Sequence, residues 1–450
     1  METICSAQKP VLSILGKAKP SEQGYRLLKY CVQESVDGGV LLFNVLTREM
    51  LFLTDEEFAR WMENDYLKAH WFVVPENLDE KKYADMVKWV LHSNAKKPSA
   101  ITTYTILTTT DCNARCFYCF EKDRSRIPMS EETAHKTAVY IQKHCGRKPV
   151  SLVWFGGEPL YNWNAMDIIC KDLCQAGIEF YSRIATNGYL FDQEAVIKAK
   201  EVWNMQNVQI TLDGTEAVYN RSKRYIYREG SPYQTVMGNI ERLLDAGIRV
   251  IIRLNMDLYN AADLMTLVDE LAERFAEKKG LTIYAQHIFD AETPMANFRT
   301  ESQWQERFEA IYRLRAKIDS YGLDIFRGIR KKLKLNSCIA DGEDAVLIAP
   351  TGEIGLCDQY SDSDFIGHID HEEFDQSVVK SWKERISEIP ECANCVIYPD
   401  CVKLKKCPVN SVCYRQHREE KNWQLRRAML QEYQRWQWNS QADDSDELFC

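Results

Sequence analysis

The alternation of apolar and polar residues changes character three times along the chain. In residues 1–95, the run Val40, Leu41, Leu42, Phe43 and the run Met50, Leu51, Phe52, Leu53 flank Thr47, Arg48 and Glu49, which is the pattern of a β-hairpin. Thr54 followed by Asp55, Glu56 and Glu57 reads as a cap opening a helix through Trp61, and a second helical pattern runs from Glu80 to Leu91. A small N-terminal domain is therefore expected, with a linker near 93–99 that includes Lys96 and Lys97.

Residues 100–330 alternate strand-like runs with amphipathic helices. Strands are expected at 103–107, 150–155, 179–185, 208–212, 250–255 and 281–286. Helices are expected near 131–145, 164–176, 192–200, 235–246 and 261–278. Six strands with crossover helices predict an α/β fold whose parallel sheet is open or curled into a partial barrel. Functional residues then belong at the C-terminal strand ends. Residues 335–420 carry short elements and many cysteines, a third unit shaped by metal. Residues 421–450 read as a helix to about 438, rich in Trp, Arg and Gln, with an acidic end at 443–447 expected to fray.

Composition narrows the class. The 450 residues are 45% hydrophobic and 27% charged, a globular balance. A net charge of -9 without a basic block argues against nucleic acid as a partner. No apolar run reaches membrane-spanning length, and the N-terminus lacks a signal-peptide pattern, so a cytoplasmic protein is expected. Sixteen cysteines in such a chain point to metal or redox chemistry. Cys5, Cys31, Cys145, Cys170, Cys174 and Cys450 are scattered and read as ordinary thiols. The other ten form two groups.

The first group follows the first barrel strand: Cys112, Cys116 and Cys119, a C-x3-C-x2-C loop. A cubane [4Fe–4S] cluster needs four ligands, so three local thiolates leave one iron open. A zinc knuckle completed by a distant residue is the plainer alternative. Gly156 and Gly157 let the backbone approach a ligand after the second strand, and Glu158 offers an acceptor for an ammonium group. The second group is Cys338, Cys357, Cys392, Cys395, Cys401, Cys407 and Cys413, more than one site uses; two zinc ribbons are the alternative.

The cysteine loop, with Gly-Gly-Glu-Pro one strand later, resembles the radical S-adenosylmethionine superfamily. The resemblance implies a partial (β/α)6 barrel. It also implies a cluster whose open iron holds S-adenosylmethionine for cleavage to a 5′-deoxyadenosyl radical. It implies further that Tyr118 packs on adenine and that Glu158 holds the methionine amino group. Asn187 and Asp213, ending the third and fourth strands, match family positions near ribose and substrate. Asn255 is placed to bond adenosine, while Arg253, Arg221 and Arg224 are rival partners for the carboxylate.

The C-terminal cysteines resemble the SPASM domain of enzymes that modify peptides, which implies two auxiliary clusters and three [4Fe–4S] clusters in all. By analogy Cys392, Cys395, Cys401 and Cys413 hold the distal cluster, and Cys338, Cys357 and Cys407 the proximal one. Five residues, not the usual three, separate Cys401 from Cys407, so Cys407 and Cys413 are open to exchange. The proximal set lacks a fourth cysteine, leaving Asp341, Asp358 or a substrate thiolate for that position. Asp358 also stands where sulfatase-maturing relatives carry a base.

The N-terminal pattern resembles the winged-helix recognition domain of enzymes that mature ribosomally made peptides, where a leader adds to a sheet edge. Together these imply an oxidoreductase that installs a thioether or carbon–carbon crosslink in a precursor peptide. Its electron donor would be a flavodoxin or ferredoxin. An anaerobic sulfatase maturase making formylglycine is the alternative, and a non-catalytic iron–sulfur or zinc protein the outside one.

Overall fold

The computed structural model describes all residues except 17–23, 96–97, 123, 228, 289–300, 325–327, 334–337, 359–363, 372, 408–412, 414 and 447–450. Lys96 and Lys97 of the expected linker, Glu447 of the acidic end and Cys450 lie outside the described residues.

The apolar runs around residue 48 form a hairpin of β4 (Gly39–Asn44) and β5 (Glu49–Thr54), with Arg48 at a φ of 63° on its corner. The strands β3 (Cys31–Val36) and β1 (Glu2–Cys5) extend it to an antiparallel sheet, β1-β5-β4-β3. Every residue of β4 is buried because both faces are covered. Leu41 and Phe43 pack with Val11 of α1 (Lys9–Leu15) and with Ala84 and Val87 of α4 (Glu80–Asn94). The alternate residues Val40 and Leu42 pack with Leu67 and Phe72, so the period of two sorts the strand between two cores. Beside the sheet, β2 (Tyr25–Leu27) pairs with β6 (Val73–Pro75). Thr54 and Glu57 form a reciprocal capping box for α2 (Asp55–Ala59). That helix stops before Trp61, which begins a separate 3-10 turn leading to α3 (Asp65–Ala69).

All six expected barrel strands are present and parallel, in consecutive order: β7 (Thr103–Thr109), β8 (Val150–Gly156), β9 (Phe180–Thr186), β10 (Met205–Leu212), β11 (Arg249–Met256) and β12 (Leu281–His287). The crossovers are α5 (Glu131–His144), α6 (Trp163–Gln175), α7 (Gln193–Glu201), α9 (Pro232–Asp245) and α10 (Ala261–Arg274). Val250, Ile252 and Leu254 are fully buried in the main core, while their neighbour Arg253 faces the barrel interior. Two helices of the barrel region were not anticipated: α8 (Glu216–Lys223), and α11 (Glu301–Ser320) after the last barrel strand.

The sheet does not end with six strands. Parallel to β7 lies β13 (Ala345–Ile348), followed by antiparallel β14 (Glu353–Gly355) and β15 (Gly367–His368), giving nine strands among the described residues. The cysteine-rich unit, which also contains α12 (Ile339–Gly342) and α13 (Gln376–Lys383), is thus hydrogen-bonded to the barrel rather than separate from it. The final helix, α14 (Arg415–Asp446), starts within the expected cysteine unit. It also runs through most of the acidic stretch expected to fray. It is anchored at Glu420 by Arg315 (3.0 Å) and at Met429 and Tyr433 by the N-terminal core. Extending an anchored helix adds one hydrogen bond for each residue fixed. Among the described residues no helix is long and apolar enough to cross a membrane.

Candidate active site

The loop after β7 carries Cys112, Cys116 and Cys119 and is pinned from two sides. Gly157 N–H donates to Thr109 O (3.0 Å) and Glu158 N–H to Asp111 O (2.9 Å), tying the loop to the turn after β8. Arg115 N–H donates to Lys223 O (2.9 Å) and Ile226 N–H to Asn113 O (2.9 Å), tying it to the end of α8. A Cβ on Gly156, whose φ is 120°, would stand 2.2 Å from Thr109 O; one on Gly157 would stand 2.2 Å from Asp111 O. Only glycine permits this approach.

These elements enclose a cavity of about 730 Å3 at the C-terminal strand ends. Its walls include all three cysteines, Tyr118, Gly156, Gly157, Asn187, Arg224, Arg253, Asn255 and Asp358. Asn187, at the end of β9, donates through Nδ2 to Asn113 Oδ1 (2.6 Å) beside the cysteines. The buried Nε of Arg253 has no acceptor among the described residues.

Three expected residues stand elsewhere. Arg221 is exposed and does not line the cavity, whereas its rivals Arg224 and Arg253 do. Asp213 is fully buried behind the wall, its carboxylate taken by Tyr118 Oη (2.7 and 2.9 Å) and Asn255 Nδ2 (3.1 Å). Glu158 is also fully buried. It accepts from Asn187 N–H (2.8 Å), Thr186 Oγ1 (2.8 Å) and Leu160 N–H (3.2 Å), and so fastens the turn after β8 to the end of β9. Burial pushes its carboxyl up to about 7 against those donors.

Two wall residues escaped the sequence reading. Lys223 is buried at the end of α8, with Nζ 2.8 Å from Tyr118 Oη, 2.7 Å from Thr211 Oγ1 and 3.4 Å from Asp213 Oδ2. Burial is the largest single effect and works against its charge, but Asp213, Cys116 and Cys112 together hold the ammonium above its ordinary range. Glu121, two residues beyond Cys119, is buried with Oε1 3.6 Å from Arg124 Nη1 and without a hydrogen bond among the described residues; burial first, then nearby Asp358, raises it to about 7 while Arg124 opposes. A lysine within Asn220-Arg221-Ser222-Lys223-Arg224 looks like one surface cation among several. Only the turn of α8 selects which one points inward.

In the C-terminal unit, Cys392, Cys395, Cys401 and Cys413 line one cavity of about 450 Å3, which Cys407 does not. Cys357 and Cys407 pack instead against the barrel core, and exposed Cys338 opens α12. Asp341 lies near Arg385 (3.4 Å), whereas Asp358 faces the cavity at the strand ends. Among the described residues no three His, Cys, Asp or Glu side chains converge tightly enough for a single metal ion. A cubane spreads its thiolates over separate irons.

Residues 106–271 match the model of the Radical SAM superfamily. The chain carries a radical SAM domain. A domain of that superfamily implies S-adenosylmethionine and one [4Fe–4S] cluster. The residues present fit both, through a three-thiol loop, glycines that admit a ligand to the backbone, and an unpaired buried Arg253 donor. Among curated relatives, a probable GTP 3′,8-cyclase of Archaeoglobus fulgidus is 29% identical over 38% of this chain and 54% of its own length. The radical SAM cyclopropyl synthase TigE of Paramaledivibacter caminithermalis is 27% identical over 27% of this chain and 28% of its own. The chain thus matches about half or less of these relatives. Among solved structures, anSMEcpe with bound AdoMet and Cp18Cys peptide has a TM-score of 0.54 at 14% identity, covering 72% of this chain and 96% of that one. Streptococcus suis SuiB bound to precursor peptide SuiA has a TM-score of 0.52 at 12% identity, covering 86% and 98%. Both share the fold of this chain.

Proposed function

We propose that this protein is a peptide maturase that takes a hydrogen atom from a ribosomally made precursor and closes a thioether or carbon–carbon crosslink. The observation that carries the reading is architectural. A radical SAM barrel is fused on one side to a four-stranded sheet with helices. On the other side it is fused to a cysteine unit in which four thiols surround one cavity. When bound, the first cluster and S-adenosylmethionine supply the radical that abstracts hydrogen.

The chain's own residues do the rest. Gly156 and Gly157 admit the methionine end, Arg224 or Arg253 meets its carboxylate, and Tyr118 offers its ring to the adenine. Asp213, Asn255 and Lys223 fix the Tyr118 hydroxyl, so the ring cannot swing. A carbon radical that forms a C–S or C–C bond releases one electron and one proton. The two C-terminal cysteine sets, proximal Cys338, Cys357 and Cys407 and distal Cys392, Cys395, Cys401 and Cys413, would hold the acceptors for that electron. The precursor's leader is expected on the N-terminal sheet, with a flavodoxin or ferredoxin as donor. Titratable side chains on the cavity wall, Asp358 among them, are available for the proton.

The position of Asp358 in the cofactor cavity also favours a second reading, oxidation of a single Cys or Ser to formylglycine. Mass spectrometry of a candidate peptide, incubated anaerobically with reductant, S-adenosylmethionine and the reconstituted protein, separates the two. A crosslink removes two hydrogens and leaves a bridge that survives reduction, whereas formylglycine introduces an aldehyde that hydrazides label.

A further inference from the structure

The N-terminal unit reaches into the distal cysteine site. Between Cys392 and Cys401 the chain makes two short 3-10 turns with little core of its own. Their support comes from the other end of the sequence. Lys88 on α4 donates through Nζ to the carbonyl of Tyr398 (3.0 Å) and to the carbonyl of Cys401 itself (3.2 Å). The same ammonium lies 4.2 Å from the Tyr398 ring centroid. The Tyr398 hydroxyl bonds to Asp85 on α4 and to Glu388 (2.6 Å), and its ring stacks on Tyr30 at 6.2 Å. Lys29 donates to Asn394 Oδ1 (3.0 Å). Arg48, on the left-handed corner of the hairpin, lines the four-cysteine cavity, donates to Arg330 O (2.8 and 2.9 Å) and stands 3.7 Å from Asp400. A non-glycine residue held at positive φ marks a position that its surroundings over-determine.

The charge is as one-sided as the bracing. Arg48, Arg330, Lys403, Arg418 and Lys421 face the cavity with Asp400 as the single acid among its described walls, while Arg315 and Arg427 also line it but pair with Glu420 and Asp324. Lys88 acts from behind the loop, its ammonium 3.2 Å from the carbonyl of Cys401. Four thiolates on a cluster need such compensation, and a nearby cation favours the reduced, more anionic state.

We propose that Lys88 is a positioning residue of the distal metal site. It holds the turn that presents Cys401 and places one positive charge beside that ligand, so the N-terminal unit and the distal site form a single structural and redox device. This rests on the reading that Cys392, Cys395, Cys401 and Cys413 hold a cluster. The N-terminal unit then cannot hinge away to deliver a peptide without loosening the metal site. By linkage, metal loading stabilises the N-terminal unit.

The test uses the full chain with Cys112, Cys116 and Cys119 replaced by Ala, reconstituted anaerobically with iron and sulfide. The distal signal is the one lost on Cys395→Ala, and it is followed by potentiometric EPR titration and by the rate of iron loss to a chelator. Lys88→Met removes donors and charge, Lys88→Gln keeps donors without charge, and Lys88→Arg keeps both. The distal potential is expected to fall in the Met and Gln variants alike. Iron loss should be several-fold faster in Met than in Gln, with Arg near the parent in both. If Met fails to fold, Gln against Arg still isolates the charge. Equal potentials and equal loss rates across the folded variants overturn the proposal alone. A parent whose signals are all insensitive to Cys395→Ala overturns the ligand reading and the proposal with it.

Discussion

Lys223→Met is expected to destabilise the centre of the radical SAM domain by about 3–5 kcal/mol, the usual loss when one partner of a buried ion pair is removed. The pair stands 3.4 Å apart, with side-chain exposures of 3% and 0% for Lys223 and Asp213. At an effective dielectric of about 20, that separation corresponds to about 5 kcal/mol of Coulomb energy, which agrees with the mutational range. The variant also deletes the donors to Tyr118 Oη and Thr211 Oγ1. Asp213 would keep Tyr118 and Asn255 as donors but no cation. Asp213→Asn leaves the converse, an unpaired buried ammonium, and should lose a similar amount. The double variant buries no charge, so the singles should fail to add, by about 2–4 kcal/mol. Native-state hydrogen exchange of β10 and α8 amides reads these opening energies locally. Additivity within about 0.5 kcal/mol would show that the pair is not coupled. Binding of S-adenosylmethionine should weaken in Lys223→Met beyond Lys223→Arg, because the Tyr118 hydroxyl loses one of its three tethers.

Replacing Cys112, Cys116 and Cys119 with Ala should remove about four irons of about twelve and abolish 5′-deoxyadenosine formation; full iron content with continued cleavage would be incompatible with the assignment. Glu158→Ala should weaken binding of S-adenosylmethionine without loss of the first cluster, and Glu158→Gln should retain more affinity, since its carbonyl still accepts from Thr186 or Asn187; wild-type affinity in the Ala variant would exclude the role. His287 is buried with both ring nitrogens unpaired among the described residues, and burial, reinforced by Arg307, drives its pKa down to about 3. The unfolded chain binds this proton near pH 6.5 and the folded chain does not, so stability is full above that pH and falls as pH drops towards 3. Of that fall, about 2 kcal/mol should appear by pH 5, and denaturation of His287→Phe should lack this part of the slope.

The barrel was legible because its strands and helices obey clean periods. Val250, Ile252 and Leu254 announce a strand buried on one side, and the cysteine loop and glycine turn fall at strand ends where ligands bind. Roles set by side-chain direction were not legible. Arg221, Lys223 and Arg224 are adjacent cations in sequence, yet the first is exposed, the second pairs with Asp213 and the third lines the cavity. Asp213 ends its strand as expected, but it works from behind the wall because Tyr118 lies between it and the cavity. The seam between units was hidden for a related reason. The four residues of β13 carry too little pattern to reveal that they pair with β7, more than two hundred residues away in the chain. Likewise the contacts of Lys88 with residues 398 and 401 join α4 to a loop no local period connects it to.

The most direct measurement of the central claim is anaerobic turnover with a candidate precursor peptide, followed by quantifying 5′-deoxyadenosine and sequencing the product by tandem mass spectrometry. The expected product is lighter by two hydrogens, resists reduction and alkylation at one bridged position, and forms with about one 5′-deoxyadenosine per bridge. An unmodified peptide despite steady cleavage of S-adenosylmethionine and demonstrated peptide binding would contradict a crosslinking maturase. A hydrazide-reactive aldehyde would move the assignment to formylglycine formation.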